Sequence, residues 1–410
     1  MEKVLIIGSV WVEPSSSAAG IRMLQLINVF LDNNYEVVFA TTTQKTVNAF
    51  DLTLLGVKEN AIELNNASFD DFVKELNPTI VVFDRFMIEE QFGWRVADHC
   101  PNAIRILDTE DLHALRKTRQ EAIKKKKSFA VNDLLTADIA KREIAAILRC
   151  DLSLIISSFE IELLHTLFKI DKRLLFHLPF LFDKLDDKKT KDWKSFEKRN
   201  HFITIGNFLH APNVDAVLQL KNKIWPQIKK KLPNAEMHVY GAYPTQQILQ
   251  LHNNKEGFLI KGYTKDAVKV VSEAKIVLAP LRFGAGIKGK LTEAMLSGTP
   301  SVTTKIGAEG MHSGIPWNGF VVDDEDAFVE KSIVLYTDKV LWKEAQKNGV
   351  EIINRVYNKT KLSASFLSEL EALKFNLITH RTENFMGSLL QYQTMRSTKY
   401  MSKWIEEKNN

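Results

Sequence analysis

Short runs of β-branched and aliphatic residues recur along the chain, each followed by a stretch whose apolar positions fall three and four apart. In the first half the runs are Val4 to Ile7, Val37 to Ala40, Ile80 to Phe83, Ile104 to Leu107 and Leu152 to Ile156. Such alternation predicts β-α-β units and a parallel sheet, whose strands are buried on both faces and need no polar side. The pattern lapses over Asp183 to Arg199, where Lys, Asp and Glu crowd out large apolar residues. It resumes with His201 to Ile205, Glu236 to Tyr240, Phe258 to Ile260, Ile276 to Ala279, Ser301 to Thr304 and Phe320 to Val322.

The 410 residues exceed what one core usually supports. The expected fold is α/β, with two Rossmann-like open parallel sheets facing across a cleft: residues 1–185, a linker over 186–200, and residues 201–380. The remainder, 381–410, reads as an amphipathic helix. Phe385, Leu389, Tyr392, Met395, Met401, Trp404 and Ile405 fall near helical spacing there, as a stripe expected to pack back on the first domain. Ligands of open parallel sheets bind beyond the carboxyl ends of the strands, so functional residues are expected just after strands.

Charge refines this picture. Residues 1–190 carry 24 basic and 28 acidic side chains and the remainder 31 and 22, so the second half is the basic one and favours anionic ligands. No zinc-finger spacing or RNA-binding signature accompanies that charge, which argues against nucleic acid. Two cysteines, Cys100 and Cys150, make no disulfide framework and point to a reducing cytoplasm. The start imitates a signal peptide, but Gly8 interrupts its apolar run and Glu13 and Pro14 follow. No apolar stretch reaches the ~20 residues of a membrane span, so membrane contact is expected to be peripheral at most, at the inner face.

The densest candidate chemistry is LAPLRFGAGIKGKLTEAMLSGTP over 278–300. A strand runs through a glycine turn into a helix expected to start near Gly286 and to stop at Gly298, with Pro300 beyond. Gly284 and Gly286 permit close backbone approach, and free amides with the positive dipole end make an anion site. Lys288 and Lys290 stand in the first turn, against the dipole preference, which fits an anionic partner such as a diphosphate. Glu293 follows Lys290 by three residues and is placed to accept bonds from a ribose diol. Ile287, Leu291, Ala294 and Met295 form the core face.

The string GAGIKGKLTEAMLSGTPSVTTKIGAEG resembles the donor-site segment of the family 4, or group 1, retaining glycosyltransferases of the GT-B fold. HFITIGNFLHAPNVDAV at 201–217, CDLSLIISSFEIELL at 150–164 and GSVWVEPSSSAAGIRMLQL near the start extend the resemblance over nearly the whole chain. It implies that Glu293 binds the donor ribose and that Gly284, Gly286 and Ile287 approach the sugar and diphosphate. It also implies retention of configuration and a nucleotide diphosphate sugar as substrate, with no cofactor. The chain departs from the family in carrying Ala285 where many members have Glu, and Gly206, Asn207, Phe208 and His210 where many have an Arg and Lys pair. Gly206, Asn207 and His210 are then the donor-side counterparts, with Lys288, Lys290 and Arg282 neutralising the diphosphate.

On the acceptor side, LDTEDLHALR over 107–116 follows a strand and concentrates ionisable groups. Asp111 fits a helix N-cap as well as a substrate contact; the resemblance implies that Asp111 and His113 contact the transferred sugar or acceptor. Asp84 ends an earlier strand, and Gly20 and Arg22 follow a serine-rich loop similar to the family's first flexible loop. The run Lys124 to Lys127 reads as a solvated helix face or as contact with an anionic membrane or lipid-linked diphosphate. Asp323 to Asp326 imitates a metal motif but fits helix capping, so no essential metal is expected. The expected activity is transfer of a sugar to a glycan or lipid-linked glycan in polysaccharide biosynthesis. A nucleotide-sugar epimerase, a sugar phosphorylase and a non-catalytic nucleotide-sugar-binding partner remain open.

Overall fold

The computed structural model describes residues 2–409, without the side chains of residues 394–396 and 409. Two parallel sheets organise it. The first has seven strands in the order β3-β2-β1-β4-β5-β6-β7: β1 (Lys3–Gly8), β2 (Glu36–Thr41), β3 (Lys58–Ala61), β4 (Ile80–Asp84), β5 (Ile104–Asp108), β6 (Leu152–Ile155) and β7 (Leu175–His177). The second has six in the order β10-β9-β8-β11-β12-β13: β8 (Asn200–Ile205), β9 (Met237–Tyr240), β10 (Phe258–Gly262), β11 (Ala274–Ala279), β12 (Ser301–Thr303) and β13 (Gly319–Val321).

Central strands bury both faces. In β1, Leu5 and Ile7 join one hydrophobic cluster while Val4 and Ile6 join another on the opposite side. In β11, Val277 and Ala279 pack on one face and Ile276 and Leu278 on the other. Helices cover both faces, as this two-sided apolar pattern demands. Eleven of the strands coincide with the apolar runs. The two that do not are edge strands: β3, KENA, has no apolar side chain beyond its terminal alanine, and β7 is three residues long. An edge strand draws its stability from one neighbour and carries little of the apolar signature of a buried one.

The chain returns to the first sheet before residue 381. The backbones cross side by side where Phe182 N–H donates to Tyr357 C=O and Lys359 N–H donates to Phe182 C=O, each 2.8 Å. The helix Lys359–Glu383 then lays Phe366, Leu370 and Leu373 into the core beside Phe30 and Ile6. Its last turn anchors on buried Asp151, whose two oxygens accept from Arg381 Nε and Nη2 at 2.7 Å each.

The final helices, Phe385–Leu390 and Arg396–Asn409, dock on the first domain by the face opposite to the expected one. Asn384 Nδ2 and Gln391 Nε2 donate to the carbonyls of Leu148 and Arg149, and Arg95 holds Ser402 and Glu406. Phe385, Leu389, Tyr392, Met401 and Trp404 point outward, 42 to 71% exposed. The carbonyls and the guanidinium at this surface need polar partners, so the polar face is the one buried. Ile405 is half-buried, and the side chain of Met395 lies outside the described residues.

Arg381→Ala leaves Asp151 buried with only Arg105 and a backbone amide for company. The expected loss is roughly 3 kcal/mol, seen as a lower midpoint of thermal or denaturant unfolding.

Candidate functional site

The carboxyl ends of the two sheets face each other across a cleft of about 930 Å³. From the first domain it is lined by Gly20, Asp84, Arg85, Glu110, Asp111, His113 and Arg116. From the second it is lined by Gly206, Asn207, His210, Gly284, Gly286, Ile287, Lys288, Lys290 and Glu293. Two of the expected residues lie elsewhere. Arg282 reaches outward to pair with Asp215, and Arg22 is buried beneath the cleft, where Nε and Nη2 donate to Asp108 at 3.1 and 2.8 Å. A guanidinium bonds the carboxylate its backbone brings nearest, and spacing in sequence does not reveal that carboxylate.

On the second domain, the helix is Gly289–Leu296, three residues later than Gly286. The turn before it is spent on other contacts: Gly286 N–H donates to Glu160 Oε1 at 2.7 Å, and Lys288 Nζ donates to the Gly286 carbonyl at 2.7 Å. Gly286 has φ +64, and a Cβ there would stand 2.8 Å from Asp111 Cβ, so only glycine fits. The helix begins with Gly289, and its first amides have no acceptor within the helix. Burial lowers both Lys288 and Lys290 to about 8, partly offset by nearby carboxylates. Burial raises Glu293, with Lys290 opposing. Among the described residues, Lys290 and Glu293 form no ion pair. This patch combines poorly solvated cations, free amides and a carboxyl group, a combination suited to a bound anion carrying hydroxyls.

On the first domain, the helix His113–Lys124 is not capped by Asp111. Its cap position is Leu112, and the first amides, His113 N–H and Ala114 N–H, donate to Glu143 at 2.9 Å each. Asp111 instead accepts from Arg116 Nε at 2.7 Å and lies 3.3 Å from His113 Nδ1. Burial alone would raise Asp111, but Arg116 and His113 hold it below the usual carboxylate range. His113 is raised: burial opposes its charge, and the Glu143 bond and Asp111 outweigh that. Glu110, with φ +60, is pushed well up by burial and by neighbouring Asp108 and Asp84.

Glu110 belongs to the charged string over 107–116 where cleft chemistry was expected, whereas Glu143 and Glu160 went unnoticed as candidates because they sit mid-chain in helical patterns that carry no signal. Asn207 is spent on its own loop, accepting from Leu209 N–H at 2.8 Å, and on Ser16 across the cleft. His210 lines the cleft and is lowered to about 4, chiefly by burial. Asp324 caps the helix Glu325–Thr337, accepting from Ala327 N–H at 2.9 Å, and Asp323 accepts from Lys305 N–H at 2.8 Å.

His113 owes part of its charge to Asp111. In Asp111→Asn the His113 pKa is expected to fall toward or below its ordinary value near 6.5, as measured by NMR titration of the ring carbon proton; an unchanged value would mean that Glu143 alone sustains the charge.

Residues 199–338 match the family model described as glycosyl transferases group 1. A curated protein from Klebsiella pneumoniae, an uncharacterized 44.6 kDa protein in the cps region, is 23% identical over 199 residues. That match spans 47% of this chain and 48% of the relative, so the chain spans about half the length of the relative it matches. Among solved structures, Staphylococcus aureus TarM, crystallised as a mutant with fondaparinux, α-GlcNAc-glycerol and UDP, superposes with TM-score 0.68 at 13% identity, over 90% of this chain and 99% of that one. Anabaena HepE with UDP and glucose gives 0.65 at 13%, over 91% and 100%. Sucrose-phosphate synthase from Thermosynechococcus elongatus gives 0.65 at 13%, over 91% and 99%. Residues 199–338 thus resemble the group 1 glycosyl transferases, and the chain as a whole has the two-sheet GT-B fold of these structures.

Proposed function

We propose that the cleft transfers a sugar from a nucleoside diphosphate to a glycan or lipid-linked acceptor, with retention of configuration and without an essential metal or cofactor. The single observation that carries this reading is the meeting of Lys288, Lys290, the first amides of Gly289–Leu296 and Glu293 on one wall. They face Asp111, His113 and Arg116 on the other. Departure of a nucleoside diphosphate leaves charge that must be stabilised where it develops, which desolvated ammonium groups and fixed amides do best in a site poor in water. Glu293 takes the ribose hydroxyls. Asp111 and His113, already oriented by Arg116 and Glu143, hold the transferred sugar or the acceptor hydroxyl.

In this reading the acceptor oxygen attacks the anomeric carbon from the face the diphosphate leaves. The glycosidic bond to the diphosphate breaks, the electron pair departs with its oxygen, and a phosphate oxygen takes the acceptor proton. No protein base is needed, and closure of the two domains limits hydrolysis. The UDP present in the TarM and HepE structures supports a nucleotide donor, and the cps-region relative supports a polysaccharide acceptor. We also propose peripheral contact with a membrane through the outward row Phe385, Leu389, Tyr392, Met401 and Trp404, with Lys408 beside Trp404.

Three measurements test these proposals. Glu293→Ala is expected to cost about 2 kcal/mol, or roughly 30-fold in kcat/KM for the nucleotide sugar, since it removes hydrogen bonds to a charged acceptor; near-normal turnover sinks the ribose assignment. Nucleoside diphosphate affinity is expected to weaken as pH rises past about 8, because Lys288 and Lys290 lose their charge there; calorimetry showing a flat profile from neutral pH to pH 9.5, about 1.5 units beyond that midpoint, removes their role. Vesicles containing anionic lipid should co-sediment the full chain and lose it in a Trp404→Ser, Leu389→Ser variant.

A further inference from the structure

The loop that connects β11 to Gly289–Leu296 is held from outside its own domain. Gly284 C=O accepts from Arg119 Nη1 at 2.9 Å, and Gly286 N–H donates to Glu160 Oε1 at 2.7 Å. Both side chains belong to the first domain. Neither lines the cleft, whereas Gly284, Ala285 and Gly286 do, so the grip comes from behind the loop.

Each gripping residue is itself fixed. Arg119 binds both oxygens of Glu309 at 2.8 Å through Nη1 and Nη2 and lies against the rings of Phe129 and Phe159. Glu160 Oε1 also accepts from Leu112 N–H at 3.2 Å, so one oxygen joins the residue after Asp111 to the donor loop. Arg119 stands on the helix His113–Lys124, whose start carries His113. The same short stretch of the first domain therefore orients Asp111 and His113 and clamps the loop opposite them.

An interdomain contact that served only as glue could end on any surface group. These two end on the carbonyl and the amide that flank Ala285, in a segment whose glycines have φ +154 and +64 and supply no side chains to hold it. Without the clamp such a backbone has many conformations open to it. We propose that Arg119 and Glu160 are positioning residues that set Gly284–Gly286 into its ligand-facing conformation, so that the donor loop becomes competent only when the two domains close. This rests on the reading of residues 284–293 as the donor site.

The test uses the full chain as wild type, Glu160→Ala, Glu160→Gln and Arg119→Lys. Hydrogen exchange of the peptide spanning 284–291 reads the loop without requiring turnover, and calorimetry with UDP, GDP and ADP reads the nucleotide site. Glu160→Ala should speed exchange at Gly286 about tenfold and lower kcat by about tenfold or more, with a smaller change in KM. Glu160→Gln keeps an acceptor oxygen and should restore most of both. Arg119→Lys should lower kcat similarly, because one ammonium cannot span Gly284 and both Glu309 oxygens. Folded Glu160→Ala and Arg119→Lys proteins with wild-type loop exchange and turnover overturn the proposal, and so does a Glu160→Gln variant as damaged as Glu160→Ala. Should Glu160→Ala fail to fold, Arg119→Lys decides by the same two readouts. Wild type that binds none of the three nucleotides removes the donor-site reading instead, while the exchange arm still judges the clamp.

Discussion

The approach of Gly286 to Asp111 governs the rest of this architecture. Each lies just past the carboxyl end of a parallel strand, β11 in one sheet and β5 in the other. For them to come within van der Waals range, the two sheets must present their loop edges to one another, and one partner must lack a side chain. That approach encloses Glu160, Arg119 and Lys288. Charges removed from water are tolerable only with partners, so the junction is a set of directed polar bonds more than a greasy interface.

The two walls of the cleft treat charge differently. On the first domain Asp111, Arg116 and His113 partner one another and Glu143, and these contacts keep Asp111 and His113 charged although burial opposes it. On the second, Lys290 and Glu293 stand without ion pairs among the described residues, and burial presses both toward their neutral forms. A self-satisfied wall orients; an unsatisfied one gains most when an anion arrives. This asymmetry agrees with a basic second half and an acidic first half.

The return of the chain bears on the same geometry. By laying Phe366, Leu370 and Leu373 into the first core, the helix Lys359–Glu383 ties the end of the second domain to the first, and the Phe182 and Tyr357 crossing places both connections together. Two adjacent strands of connection allow rotation about that point more readily than separation, the motion a closing cleft requires.

Periodicity alone was enough to announce two parallel sheets, because a strand buried on both faces must be apolar throughout and a crossover helix must be apolar on one side. Eleven strands and a cleft between the sheets were readable on that basis, while most of its lining, from Gly20 and Asp84 through Asp111 to Glu293, was flagged by glycine and charge motifs placed after strands and by the family resemblance they carry. Side-chain destinations were not. Arg22 and Arg282 turned from the cleft toward Asp108 and Asp215, and Glu143 took the capping duty that Asp111 seemed placed for. Glu160 and Arg119 acquired their roles from a partner loop more than 100 residues away. The apolar stripe at the C-terminus faces out because the surface it meets offers carbonyls and an arginine. Local pattern reports whether a residue is inside or outside; which polar group it bonds depends on distances that exist only once the two sheets have come together.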